Sequence, residues 1–276
     1  MYIYRCEDTL EGVFTAIYRV YEEHRARDEV RLALEDEAWL FSAEIAVETD
    51  CGRAEKVIRT LKRRFGDKDY ESLCLALAAP DMEKAHAVYR TVAAGLDGGY
   101  GFGQLFDNLT DEYIHKTFRL ATNAGREGCH LQEFVRFAEL ENGVMYSRIA
   151  PRNNLLTFLM PHFADRFPEE DFILHDVERD WFGVHPAGEQ WFVMRGGMPE
   201  KETLEASEGE ASEAKALKNE AIFARYSAEE SRYQALFRHF CKSIAIDGRR
   251  NEKLQTGMLP LRFREYMAEF QSSDSV

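Results

Sequence analysis

Phe134-Val135-Arg136-Phe137-Ala138-Glu139-Leu140, then Glu141-Asn142-Gly143, then Val144-Met145-Tyr146-Ser147-Arg148-Ile149 is the stretch that decides how this chain is read. Its two flanks are rich in aromatic and branched apolar residues, the composition that suits a pleated, half-buried strand. Between them Asn142-Gly143 is a strong hairpin signal, because both residues tolerate positive φ. Pro151-Arg152-Asn153-Asn154 then breaks the sheet. Leu155, Leu156, Phe158 and Leu159 follow at helical spacing, and Phe163, Ala164 and Phe167 continue the apolar face up to Pro168. Pro161 inside that run predicts a kink or two short helices. Residues 172–175, 181–185 and 190–194 read as three more short strands joined by polar turns. The pattern predicts an α+β protein. At its centre stands one antiparallel ββαβββ sheet module over residues 131–195, covered by the helical segment 154–167.

Outward from the module, residues 1–130 read as a mainly helical region with one or two strands. A strand over 2–5 is followed by a helix capped by Asp8, with Glu11 completing a capping-box pattern. Residues 25–38 are charged and loop-like, and 41–47 alternate as a second strand. The next helix ends at Phe65 and carries Arg53, Lys56, Arg59, Lys62, Arg63 and Arg64 on its outer face. Helices over 69–78, 81–94 and 110–126 follow. Residues 95–103 hold five glycines, but they come after a helix and Gln104 stands where a phosphate loop would place Lys. Helix termination is therefore the reading for them. Residues 196–226 form an acidic linker or exposed helix, almost free of large apolar side chains. Residues 227–276 read as two basic helices, about 227–246 and 259–271.

The chain has 276 residues, 45% of them hydrophobic, enough for a sizeable core. No apolar run approaches the roughly 20 residues of a membrane span, and Met1-Tyr2-Ile3-Tyr4-Arg5 lacks the pattern of a signal peptide. The expectation is a cytoplasmic protein without membrane contact. The cysteines at 6, 51, 74, 129 and 241 form no C-x-x-C pair, so no metal and no cofactor is expected in this chain. A net charge of −14 opposes tight binding to a polyanion. The charge is segregated, however: between Arg232 and Arg264 there are eight Arg or Lys and two acids.

Candidate site residues fall into two groups. His162, Asp165 and Arg166 lie within one helical segment, where His with Asp suits general acid–base work and Arg suits a phosphate. Asp176 and Arg179 flank a turn. In structural terms Asp165 bonds backbone and Arg166 pairs with a carboxylate such as Asp176. The second group is basic: Arg249, Arg250, Lys253, Arg262 and Arg264, joined by Arg166 and Arg179, are the candidate nucleic-acid contacts. For the C-terminal cluster, nucleic-acid contact and structural pairing weigh about equally. Trp181, Phe182, Trp191 and Phe192 are stacking platforms or, more often, core.

Three blocks of residues carry a family resemblance. They are His162-Phe163-Ala164-Asp165-Arg166-Phe167 with Ile173-Leu174-His175-Asp176 and Arg179; Tyr233-Gln234-Ala235-Leu236-Phe237-Arg238 through Asn251-Glu252-Lys253-Leu254-Gln255 to Met258-Leu259-Pro260-Leu261-Arg262-Phe263-Arg264; and Leu10-Glu11-Gly12-Val13-Phe14-Thr15-Ala16-Ile17-Tyr18. Together they resemble a bacterial domain-of-unknown-function family described in terms of DNA metabolism or repair. The resemblance implies association with a radical S-adenosylmethionine (radical SAM) protein, and in some relatives fusion to a uracil-DNA glycosylase. It supplies no catalytic residues. The leading expectation is a DNA-binding or accessory component working with a radical SAM DNA modification or repair enzyme. The alternatives are a hydrolase or glycosylase-like enzyme acting on DNA or a nucleotide, and a protein–protein adaptor without DNA contact.

Overall fold

The computed structural model describes residues 1–34, 42–196, 226–244, 256 and 259–270. The chain divides into two compact units, one of Met1–Glu127 with Arg152–Asn154, the other of Gly128–Pro151 with Leu155–Val276. The fold is α+β.

In the first unit β1 (Tyr2–Cys6) is the middle strand of a three-stranded sheet, flanked by β2 (Val30–Leu34) and β3 (Ala43–Ala46), both parallel to it. Helix α1 (Leu10–Glu22) connects β1 towards β2, the crossover that parallel neighbours require. Thr9, not Asp8, caps it: its side chain accepts from the Gly12 amide. Val13, Phe14, Ile17 and Val20 form its buried face. The strand β2 corrects the loop expected over 25–38. Val30, Leu32, Ala33 and Leu34 are buried there, while Arg31 reaches out to Glu83 at 3.0 Å.

Three more helices complete most of this unit: α2 (Cys51–Phe65), α3 (Asp67–Leu77) and α4 (Lys84–Asp97). Asp50 caps α2 by accepting from the Arg53 amide. Helix α4 runs through Gly95, which lies against side chains. A Cβ there would come within 2.5 Å of Leu105 Cδ1 and 2.8 Å of the Phe65 ring. That glycine serves close packing. Helix α5 (Glu112–Phe134) is longer than the 110–126 expected. Glu127 on it is 4% exposed and accepts from the Arg152 amide (3.1 Å), the Asn153 amide (2.9 Å) and Asn153 Nδ2 (2.6 Å).

The second unit is built on a five-stranded sheet in the order β4 (Ala138–Glu139), β5 (Met145–Ile149), β6 (Phe172–Asp176), β7 (Trp181–His185), β8 (Phe192–Arg195). Adjacent strands are antiparallel except β5 and β6, which pair in parallel from Met145↔Phe172 to Ile149↔Asp176. The all-antiparallel module is therefore corrected to a mixed sheet. Helix α6 (Leu156–Arg166) explains it, because a strand–helix–strand crossover brings the second strand back in the same direction. The expected strand over 134–140 also shrinks, since α5 persists to Phe134 and only Ala138–Glu139 remain as strand. The Asn142-Gly143 turn forms, with Gly143 at φ 81° and its amide donating to Leu140 O at 2.9 Å.

Alternation along β5, β6 and β7 divides the sheet into two faces. One packs against α6, and Gly183 leaves room for it: a Cβ would fall 2.3 Å from Met160 Sδ. The other face holds the cluster of Leu140, Tyr146, Ile173 and Phe182, with Val144, Val184, Met194 and Tyr226 against it. Tyr226 bridges to Leu140, and Ser227 then caps α7 (Ala228–Ser243) by accepting from the Glu230 amide. A single helical turn, Leu261–Arg264, follows near the end of the described chain.

Candidate functional site

The expected site residues fall in different surroundings. His162 and Arg166, one turn apart on α6, line the same cavity of about 810 Å³. Asp165 is exposed and does not line it. Arg166 lies 5.6 Å from the Phe167 ring centroid and has no carboxylate within salt-bridge distance among the described residues. Asp176 is fully buried and holds Arg179 Nη1 at 2.9 Å, while that same nitrogen donates to Pro151 O at 3.0 Å. It is Arg179, and not Arg166, that pairs with Asp176. Burial pushes the Asp176 carboxyl above the usual carboxylate range, against the opposing pull of Arg179. Arg179 is thus engaged inside the unit by Asp176 and Pro151.

Arg262 is exposed, 4.7 Å from the Phe263 ring centroid. Arg264 donates from Nε to Leu259 O and lies 4.9 Å from the Phe270 ring centroid. Arg249, Arg250 and Lys253 lie outside the described residues, as does the acidic stretch 200–220.

Arg136, which no sequence motif marks, brings three hollows of the second unit together. It lines the 810 Å³ cavity, one of about 50 Å³ and one of about 20 Å³. Its Nη1 donates to the carbonyls of Glu133 (2.9 Å) and Val135 (3.2 Å), closing the end of α5. Arg148 lines the two smaller hollows, is exposed on β5, and lies 5.6 Å from the Tyr266 ring centroid. Tyr146, Tyr226, Phe263 and Tyr266 complete the aromatic part of those hollows. One signal for Arg148 was available: it stands two residues from Tyr146 on a strand, hence on the same face. Arg136 was hidden because a strand was expected where α5 ends.

His175 lies on that face too. Its ring stacks on Phe182 at 4.1 Å and 15°, and Nδ1 meets the Tyr146 hydroxyl at 2.8 Å. Nε2 lies 3.4 Å from Asp180 Oδ1, whose residue takes φ 51° at the turn into β7. Burial lowers the His175 pKa; Asp180 works against that, and Arg148 reinforces it. At neutral pH the imidazole is thus held uncharged. Among the described residues no group of three or more His, Cys, Asp or Glu could hold a metal ion. All five cysteines are free thiols. No helix among the described residues is long and apolar enough to cross a membrane.

A family model described as a domain of unknown function, DUF4130, matches residues 82–269. The chain belongs to this family. A comparison with curated proteins found no match. The DUF4130 segment includes every residue that lines the three hollows. Its description carries no activity, so the chemistry of the site rests on the residues themselves.

Proposed function

We propose that this DUF4130 protein is a DNA-binding or accessory component of DNA metabolism, and that the concave surface around Arg136 is where the nucleic acid lies. The observation that carries the reading is the sharing of Arg136 by three hollows that also present Arg148, Arg166 and Arg262 among aromatic rings. Guanidinium groups contact phosphates without reading sequence, and the half-buried rings of Phe137, Phe167, Tyr226 and Tyr266 can take unstacked bases. Together they favour single strands over duplex. The net charge of −14 does not exclude this, because a local cluster acts within about a Debye length of roughly 8–10 Å. A radical SAM partner belongs to the same proposal and is supported by the resemblance alone.

The test is binding of a labelled oligonucleotide, single- and double-stranded, across a salt series. Log affinity for the single strand should fall with log salt, by roughly 0.7 per phosphate contact. Arg148→Ala should flatten that slope by about one contact and weaken all sequences alike. Salt-independent binding, or no binding by folded protein, would remove the nucleic-acid reading and leave the adaptor. For the enzyme reading, the geometry gives His162 neither carboxylate named with it. Asp165 does not line the cavity, and Asp176 is buried against Arg179.

A further inference from the structure

The 810 Å³ cavity is far larger than a phosphate needs and falls within the range of about 300–1,000 Å³ typical of small-molecule sites. Its walls come from the end of α5 and the second half of α6, with Phe137 and Met145 contributing from the sheet side. Phe137 meets Phe163 at 5.2 Å and 76°, and Phe167 at 5.7 Å and 74°. Rings nearly perpendicular make a corner, in which a flat ring can stack on one wall and present its edge to the other. These contacts also hold Phe137 in one orientation before anything binds.

The polar groups on the cavity are few and of unequal sign. Arg166 and Arg136 bring two guanidinium groups, His162 an imidazole, Gln132 an amide and Glu133 the one carboxylate. The site lies at helix C-termini, where backbone carbonyls disfavour an anion. Arg136 already neutralises two of those carbonyls, and Arg166 stands in the last turn of α6. Arg136 is also drawn to Glu269 at 3.9 Å, so Arg166 is the cation left for a ligand, and that suits one phosphate group better than three.

We propose that this cavity binds a nucleoside monophosphate unit, with the base in the Phe137–Phe167 corner and the phosphate on Arg166, supported by Arg136. The inference deepens the nucleic-acid reading, since the unit bound can be one nucleotide of a strand. It can nevertheless be tested without a strand. Cys129 lies on the cavity and is exposed, so its alkylation by a maleimide reports occupancy. The other thiols outside the core, Cys51 and Cys241, are first changed to Ser in the full-length chain.

Thymidine 5′-monophosphate at millimolar concentration should slow the labelling of Cys129. Thymidine should protect about tenfold more weakly, because it lacks the charge-assisted bonds to guanidinium. Inorganic phosphate alone and the triphosphate should each protect less than the monophosphate. Arg166→Gln, at an exposed position that should not alter folding, should abolish the difference between monophosphate and nucleoside. No protection by the monophosphate, or an unchanged difference in Arg166→Gln with its melting temperature intact, overturns the inference. Oligonucleotide binding without monophosphate protection would break this inference alone. Monophosphate protection without oligonucleotide binding would break the nucleic-acid reading and keep the cavity as a nucleotide site.

Discussion

Cations rest on aromatic rings in both units, but in the first unit Arg25, Arg53, Lys62 and Arg90 on the rings of Tyr2, Tyr18, Tyr70 and Tyr113 also meet carboxylates. In the first, arginines and lysines meet carboxylates: Arg5 with Glu44, Arg19 and Arg25 with Glu23, Arg31 and Lys116 with Glu83, Arg90 with Asp28, Lys84 with Asp8. In the second, Arg148, Arg166 and Arg195 lie over the rings of Tyr266, Phe167 and Trp181 with no carboxylate within salt-bridge distance among the described residues, while Arg136 meets Glu269 at 3.9 Å. A cation already paired to a carboxylate has little charge left for a ligand. A cation that rests on a ring and meets no carboxylate keeps its charge for a ligand. The difference is the reason the proposed recognition surface lies in the second unit, although the chain as a whole is strongly acidic.

The sharpest test of that contrast is at Arg179, held in the second unit by the fully buried Asp176. Arg179→Leu leaves Asp176 as a buried carboxylate without its cation and should lower stability by about 3–5 kcal/mol in denaturant unfolding. Asp176→Asn should lose less, because Arg179 is 24% exposed and can turn to water. Losses below about 1 kcal/mol in both variants would show the pair to be dispensable.

Acid should separate the units next. His86, 6% exposed, has its pKa lowered to about 4, by burial first and then by Arg31 and Arg90. Glu23 has its pKa lowered to about 2 by the Tyr4 hydroxyl, Arg19 and Arg25. In both, the folded state binds protons less readily than the unfolded chain. The His86 contribution is therefore complete above about pH 6.5 and lost as the pH falls towards 4; that of Glu23 is lost between about 4.5 and 2. His86→Leu should remove the upper part of this decline, worth on the order of 1–3 kcal/mol, measured as unfolding free energy against pH. A decline unchanged in His86→Leu would mean that another group carries it.

The smallest expected effects on stability are at the surface. Arg59→Ala breaks an exposed pair with Glu55 and should change stability by less than about 0.5 kcal/mol. Arg148→Ala should cost as little, yet weaken the binding of single-stranded oligonucleotide. If Arg148→Ala unfolds the protein while Arg59→Ala does not, the ring-stacked cations are structural after all.

Much of this was legible in the chain itself. The Asn142-Gly143 turn and the first helix follow from local rules, and so does the placing of His162 and Arg166 one turn apart, whereas Pro161 stands inside one helix, Leu156–Arg166, and does not divide it in two. Strand direction between β5 and β6 was not, because alternation encodes which face a residue takes and says nothing of its partner's direction. The helical connection was the usable sign, since a crossover of that length favours a parallel return. The strand β2 escaped notice because Arg31 interrupts a five-residue apolar run amid charges. In the site, a count of basic residues pointed towards the C-terminal cluster. Arg136 and Arg148 are isolated in sequence, and only folding gathers them with Arg166 and Arg262 around shared hollows.

The carboxylate of Glu127 has a bearing on synthesis. Its partners, Arg152 and Asn153, belong to the first unit but are separated from Glu127 by residues of the second. A ribosome that has released only residues 1–127 has made a unit whose buried acid lacks the donors that satisfy it. The first unit therefore closes only after Asn154 has emerged, when β4 and β5 have already been translated. Any fragment cut at position 127 inherits the same defect, and the shortest segment from Met1 that keeps this clamp ends at Asn154 or beyond.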